Sequence, residues 1–369
     1  MVKRVCGAVD TWPLERLTET ACIAPFKTFE IYGDGNVSMC CYSWMPEYAG
    51  NILEDGPLAI LTNPFRDSVL QNMRCGIYSH CTDLCPHLNA LMTGDQRQHV
   101  WSMVPKADLD LRLPEFSYII NFSYDESCNL QCPSCRTHLK LDKPGSPHWP
   151  TLQKLHDNVK QLVNELLAGG HTVQLNITGS GDAFASPLYW EYLQELASQE
   201  QNKNLFISIF TNGLLMTPQR LQRIENLFPQ IRNINVSIDA ASSAVYSKVR
   251  RGGNFDNLVK NLDYLDDLIT QNQLTNMIWQ NNFIVQADNW RDILPFVHWQ
   301  LGYKNLNCLW FNQIAQWGHL DDSMFNQMAI WDADHAEHAD FLHIFHDRLL
   351  ADPRVYLGNL SRFIPKEAT

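Results

Sequence analysis

From residue 115 onward the chain repeats one pattern six times: a short apolar run followed by a stretch with helical periodicity. The runs are FSYIINFSY (116–124), TVQLNITGSGD (172–182), LFISIFTNG (205–213), IRNINVSIDA (231–240), MIWQNNFIVQ (277–286) and NLNCLWFNQI (305–314). Helical stretches follow them at 151–170, 187–199, 217–228, 242–270, 290–302 and 333–350. Apolar runs of this length, rich in β-branched and aromatic residues, suit strands buried on both faces. Their alternation with helices implies parallel strands joined by right-handed crossovers. The expected fold is α/β, an open sheet or a barrel. In either, ligands gather at the C-terminal ends of the strands.

Residues 1–112 read differently. Turn-forming clusters (YGDGN, LEDGP, TNPF) separate short strand-like runs, TFEIY and NVSMCCY. One helix is expected over Asn63–Met73, with Asn63 as cap and Pro64 in the first turn. So little regular core commonly needs a metal staple. The expected organisation is a loop-rich domain over 1–112, the repeating α/β domain over 113–318 and a helical extension over 319–369.

Hydrophobic residues make up 45% and charged residues 18%, enough to bury a substantial core. The net charge of −12 argues against nonspecific nucleic-acid or anionic-membrane binding. No run approaches the ~20 apolar residues of a membrane span, and the start has no signal-peptide pattern, so a cytoplasmic protein is expected. That compartment disfavours stable disulfides. Eleven cysteines, nine of them between 22 and 135, therefore point to metal.

The sharpest motif is CNLQCPSC, which places Cys128, Cys132 and Cys135 just after the first strand, at its C-terminal end. A [4Fe–4S] cubane is commonly held by four cysteines. Three leave one iron open for a chelating small molecule, by the logic of an open catalytic zinc. A zinc knuckle is the competing reading.

This loop resembles the CxxxCxxC signature of the radical S-adenosylmethionine (SAM) enzymes. The resemblance implies a partial (β/α)6 barrel. It also implies a [4Fe–4S] cluster on the three cysteines and SAM chelated at the open iron. TGSGDAF is similar to the family's Gly-Gly-Glu stretch, with Ser180, Gly181 and Asp182 at the SAM ammonium. FTNG places Asn212, between Thr211 and Gly213, at the end of the third strand. In VSIDAASSAVYSKVRRGGNF, Ser237 would approach the ribose or carboxylate, and Arg250 the SAM carboxylate. FIVQADN offers Ile284 and Val285 to the adenine. Two positions depart from the family: Ser134 stands where an aromatic is usual, and Asp182 where Glu is.

A second cysteine set lies upstream. Cys22, Gly35 and Cys40 read C-x12-G-x4-C, and Cys75, Cys81 and Cys85 read C-x5-C-x3-C. Gly35 allows a tight hairpin that brings two thiolates to one side, and Cys41 alternates away from Cys40. The combination is similar to the SPASM and twitch auxiliary-cluster domains of radical SAM enzymes, here ahead of the barrel. Asn72 stands where that pattern has a further cysteine, so one auxiliary Fe–S cluster is expected. Its ligands would be Cys22, Cys40 and Cys85, with Cys75 and Cys81 competing for the fourth place. Zinc on the same thiols is the alternative.

Cys308 in the sixth strand is read as a core residue, with hydrogen-atom donation to a substrate radical as the sharper alternative. The histidines at 335, 338, 343 and 346 are read as the polar edge of a packed helix. The resemblance implies a flavodoxin- or ferredoxin-type reductant. It implies a peptide substrate first and radical dehydrogenation or epimerisation of a small metabolite or sugar second. A non-catalytic, metal-stabilised binding protein is the reading from another class.

Overall fold

A computed structural model describes residues 5–6, 19–82, 85, 87–88, 103–109, 118–316 and 320–365. Phe116 and Ser117, expected to open the first strand of the repeat, lie outside the described residues, as does the side chain of Cys6. The chain divides into two units. One comprises Met1–Asp125, Lys143–Ser180 and Asn202–Phe206, and the other Glu126–Asp142, Gly181–Gln201 and Ile207–Thr369.

The first unit holds β1 (Val5–Cys6), β2 (Thr20–Cys22), β3 (Thr28–Tyr32), β4 (Val37–Ser38), β5 (Tyr78–Thr82), β6 (Met103–Pro105), β7 (Tyr118–Ser123) and β8 (Val173–Ile177). β1 pairs with β5 in parallel and β2 with β6 antiparallel. The β3–β4 hairpin turns at Gly35, whose φ of +85° suits glycine. β3 then runs parallel to β7, with Thr28 opposite Ile119 and Tyr32 opposite Ser123. β7 runs parallel to β8. The sequence repeat does not announce this pairing: a strand from the loop-rich region lies beside the first strand of the α/β repeat.

Alternation gives these strands two faces. Phe29, Ile31, Ile120, Phe122, Leu175 and Ile177 are fully buried on one. The helix Trp149–Ala168 buries Leu152, Leu155, Val159, Leu162, Val163 and Leu166, each worth about 1.5–3 kcal/mol. The opposite face is polar. Glu30, Asn121 and Asn176 share a row, and Asn176 Nδ2 donates to Asn121 Oδ1 at 2.7 Å.

The second unit holds β9 (Leu205–Thr211) from Ile207 on, β10 (Ile231–Ser237), β11 (Ile278–Val285), β12 (Leu306–Gln313) and β13 (Val355–Tyr356); β9 to β13 run parallel. Ile209, Ile234, Val236, Phe283, Val285 and Phe311 fill one face, at most 1% exposed. The other carries Phe210, Asn235, Gln280 and Cys308 in one row, and Ser237, Asn282, Trp310 and Tyr356 in the next. All six strands of the repeat are present, and the fold is α/β.

Helices start where caps demand. Asn63, Ser186, Thr217, Ser242 and Asn254 each accept a backbone N–H two or three residues on. Three expected helices are broken. The 242–270 stretch forms Ser243–Val249 and Phe255–Gln271, parted by a turn containing Gly252 (φ +91°) and the cap Asn254. The 217–228 stretch forms Pro218–Arg223 and a 3-10 turn. The 333–350 stretch keeps one short helix, His338–His343, and then 3-10 turns, one of them capped by Asp347.

Candidate metal and cofactor site

The cysteine loop lies in the second unit and is fixed by its own backbone. Cys128 N–H donates to Lys140 O at 2.8 Å, and both Cys135 and Arg136 N–H donate to Cys132 O at 3.0 Å. Gln131 N–H donates to Arg251 O at 3.0 Å, which ties the loop to the turn after helix Ser243–Val249. Cys128 and Cys132 are buried and Cys135 is exposed.

Each sulfur meets nitrogen donors. Cys128 Sγ faces Leu130 N–H at 3.4 Å and Asn212 Nδ2 at 3.7 Å. Cys132 Sγ faces Arg250 Nη1 at 3.7 Å, and Cys135 Sγ faces Arg136 Nη2 at 3.5 Å. Burial raises the Cys128 thiol to about 11 and also raises Cys132, where Arg250 works against the shift. Burial alone would penalise the Arg250 guanidinium. Asp239 and Cys132 outweigh it and raise that group above its usual range. Amide and cationic donors around three thiols suit thiolate ligands of a cluster. Among the described residues, no group of three or more His, Cys, Asp or Glu side chains is gathered as for a single metal ion. A cubane takes one thiolate per iron and so a wider ligand set.

Arg250 caps the C-terminal end of helix Ser243–Val249, and its Nη2 pairs with Asp239 Oδ2 at 2.7 Å. Asp239 Oδ1 accepts Ile284 N–H at 2.7 Å. Arg250 Nε is buried without an acceptor, an open donor beside Cys132 that suits a carboxylate ligand. Asp239 follows β10 with φ +63°, a left-handed conformation in which Asp is enriched.

The remaining expected residues fall into two groups. Ser180 Oγ donates to Ser123 O at 3.0 Å, which anchors Ser180 to the end of β7. Asn212 also donates to Asn129 Oδ1 at 2.8 Å. Ser237 and Ile284 stand half-buried on the polar strand face, and Gly181 is half-buried. Asp182 is 1% exposed. Its Oδ1 accepts Phe184 and Ala185 N–H, and its Oδ2 accepts Thr211 Oγ1 and Asn212 N–H. Four donors fill a carboxylate's acceptor sites, so Asp182 organises this corner through its neighbours. Val285 is fully buried on the apolar face, which leaves Ile284 of that pair for a ligand. Asp239, Arg136 and Asn129 were not singled out in advance. Asp239 lies in the SIDA run and was legible there as a strand-end acid three residues before the helix expected over 242–270.

In the first unit Cys22, Cys40, Cys81 and Cys85 are buried in one cluster with Met39, Met45 and Tyr78. Their thiols act on one another: burial and the neighbouring cysteines raise Cys40 and Cys81 well above the usual range. Cys75 stands apart, exposed at the C-terminal end of helix Pro64–Arg74, 3.9 Å from Gln71 Nε2. Of the two contenders for the fourth place, the structure brings Cys81 to the other three thiols.

Residues 125–297 match the Radical SAM superfamily, and residues 22–86 match the SPASM iron–sulfur cluster-binding domain. The chain thus carries a SPASM domain ahead of a radical SAM domain. The cofactors that go with these domains are a [4Fe–4S] cluster with SAM, and auxiliary Fe–S clusters. Among curated proteins the chain is similar to GTP 3′,8-cyclase of Lactiplantibacillus plantarum, 24% identical over 181 residues and 49% of each chain. It is also similar to GTP 3′,8-cyclase of Limosilactobacillus fermentum, 26% identical over 183 residues and again 49% of each. AdoMet-dependent heme synthase of Nitratidesulfovibrio vulgaris is 24% identical over 165 residues, 44% of this chain and 41% of the relative. The chain thus matches about half the length of these relatives. A solved structure of methylornithine synthase aligns at 14% identity and a TM-score of 0.36, covering 64% of this chain and 63% of that one. No helix among the described residues is long and apolar enough to cross a membrane.

Proposed function

We propose that this protein cleaves SAM reductively and uses the resulting radical to abstract hydrogen from a substrate. The observation that carries this is the convergence of Cys128, Cys132 and Cys135 with Arg250 and Asn212 in one loop environment. When bound, a [4Fe–4S] cluster with SAM supplies one electron and yields a 5′-deoxyadenosyl radical. The chain's own groups place and hold. The three thiolates ligate three irons, and Arg250 receives the SAM carboxylate. Gly181 receives the ammonium, and Ser237 and Ile284 flank the nucleoside. Asp182 keeps Asn212 aimed at Cys128. Cys22, Cys40, Cys81 and Cys85 hold one auxiliary cluster, and the electron comes from a flavodoxin- or ferredoxin-type partner.

The relatives' printed substrate, GTP, does not transfer readily. A triphosphate asks for cations, whereas the polar face of β10–β12 bears Asn235, Gln280, Asn282 and Asn312. Amides read neutral groups through paired donors and acceptors. The substrate is therefore neutral and rich in hydrogen-bonding groups, a ribosomally made peptide in the first reading. Cys308 favours a second, epimerisation of a sugar or similar metabolite. It shares a row with Gln280, and burial raises its thiol to about 12, so it stays an S–H at neutral pH. The test is anaerobic reconstitution with SAM and dithionite. 5′-Deoxyadenosine is expected from the wild type and only background from Cys132→Ala. Equal product from both would refute the proposal.

A further inference from the structure

Of the three cysteines in the loop, Cys135 alone is exposed. Its sulfur lies 3.5 Å from Arg136 Nη2, which donates to it, and the same guanidinium donates through Nη1 to Glu126 O at 2.7 Å. One planar group thus ties the start of the loop to its last cysteine. An arginine fork can serve two acceptors in a fixed geometry, whereas the ammonium of lysine is a point charge on a flexible stem. Arg136 also stays charged at any working pH. Burial alone would penalise that charge. Cys135, then Cys128 and Cys132, outweigh burial and raise the group above its usual range. The donors at the two buried sulfurs have partners elsewhere: Asn212 also donates to Asn129 Oδ1, and Arg250 pairs with Asp239. As a thiol the Cys135 sulfur is a weak acceptor, but as a thiolate on iron it is a strong one.

We propose that Arg136 is a positioning residue: once Cys135 ligates the cluster, the guanidinium anchored on Glu126 O keeps its hydrogen bond to the Cys135 sulfur and so raises the cluster's reduction potential. The inference rests on the reading that Cys128, Cys132 and Cys135 hold a [4Fe–4S] cluster. Reduction adds negative charge to the cluster. A cation whose N–H meets a ligand sulfur stabilises that form more than the oxidised one, and hydrogen bonds to the sulfurs are among the groups that set these potentials. The effect belongs to the sulfur that solvent reaches, where the protein supplies least other shielding.

The test compares wild type, Arg136→Met, Arg136→Lys and Arg291→Met as full-length, anaerobically reconstituted proteins. Arg291→Met removes the same charge from a guanidinium that pairs with Glu337 at 2.7 Å, and so controls for net charge. The loop's cluster is identified as the reduced-state EPR signal that Cys132→Ala lacks. In a titration followed by that signal, Arg136→Met is expected at a more negative midpoint potential than the wild type. It is also expected to lose an exchangeable-proton coupling that deuterium oxide removes from the wild type. Arg136→Lys, which keeps the charge but not the fork, should fall between the two in potential, and it carries the comparison if Arg136→Met loses its iron. Arg291→Met should match the wild type in both. Should the Arg136 variant keep the wild-type potential or the coupling, or should Arg291→Met shift as far, the proposal is overturned. A wild type without any signal that Cys132→Ala removes would instead overturn the reading beneath it.

Discussion

The two cysteine sets sit in contrasting surroundings. Around Cys128, Cys132 and Cys135 the sulfurs meet Leu130 N–H, Asn212, Arg250 and Arg136, and one cysteine is exposed. Around Cys22, Cys40, Cys81 and Cys85 the neighbours are Met39, Met45, Tyr78 and Leu88, and all four thiols are buried. In the proposed reading, three thiols with polar donors and an open side would make a place where a small molecule meets a metal. Four thiols closed inside an apolar cluster would make a staple, for a region with little other regular structure. The difference lies less in ligand type than in what else reaches the sulfurs.

Removing thiols gives the largest effect. Cys81→Ser is expected to lose about half of the bound iron by chemical analysis, since one of two four-iron cubanes goes. Cys75→Ser should keep all of it. Equal losses would erase the distinction between the two cysteines. A smaller effect comes from the polar donors that only the first set has. Arg250→Gln should weaken SAM binding about tenfold in anaerobic equilibrium dialysis, the scale of one charge-assisted hydrogen bond. Unchanged affinity would detach Arg250 from the cofactor.

A separate test probes the first unit's core. Burial and Lys160 lower the His156 imidazole from 6.5 to about 4. Its neutral form therefore favours the folded state above the unfolded pKa, and that contribution is lost as pH falls toward 4. The stake is about 3 kcal/mol. Denaturation midpoints of the wild type should fall over that window, and His156→Gln should flatten the fall. Parallel profiles would contradict the assignment.

Much of this was legible in the sequence because it is local. Alternating apolar runs set the six strands, the cap at Asn63 set a helix start, and the spacing of Cys128, Cys132 and Cys135 set the loop. The pairing of β3 with β7 was not legible, since TFEIY alternates in the same way whichever strand it joins. Cys81 could not be chosen over Cys75 by spacing, because the choice depends on where β5 runs after helix Pro64–Arg74. The break at Arg250–Asn254 was signalled by RGGN and outweighed by the flanking helical periodicity. The preference for Ile284 over Val285 follows from strand alternation once the buried face is known.

The central claim is an iron at the Cys128, Cys132 and Cys135 loop that binds the amino group of SAM. Electron–nuclear double resonance on the reduced protein with amino-15N-labelled SAM tests it directly. The account predicts a 15N coupling to the cluster that vanishes in Cys132→Ala. Iron-loaded wild-type protein with bound SAM and no such coupling would contradict it.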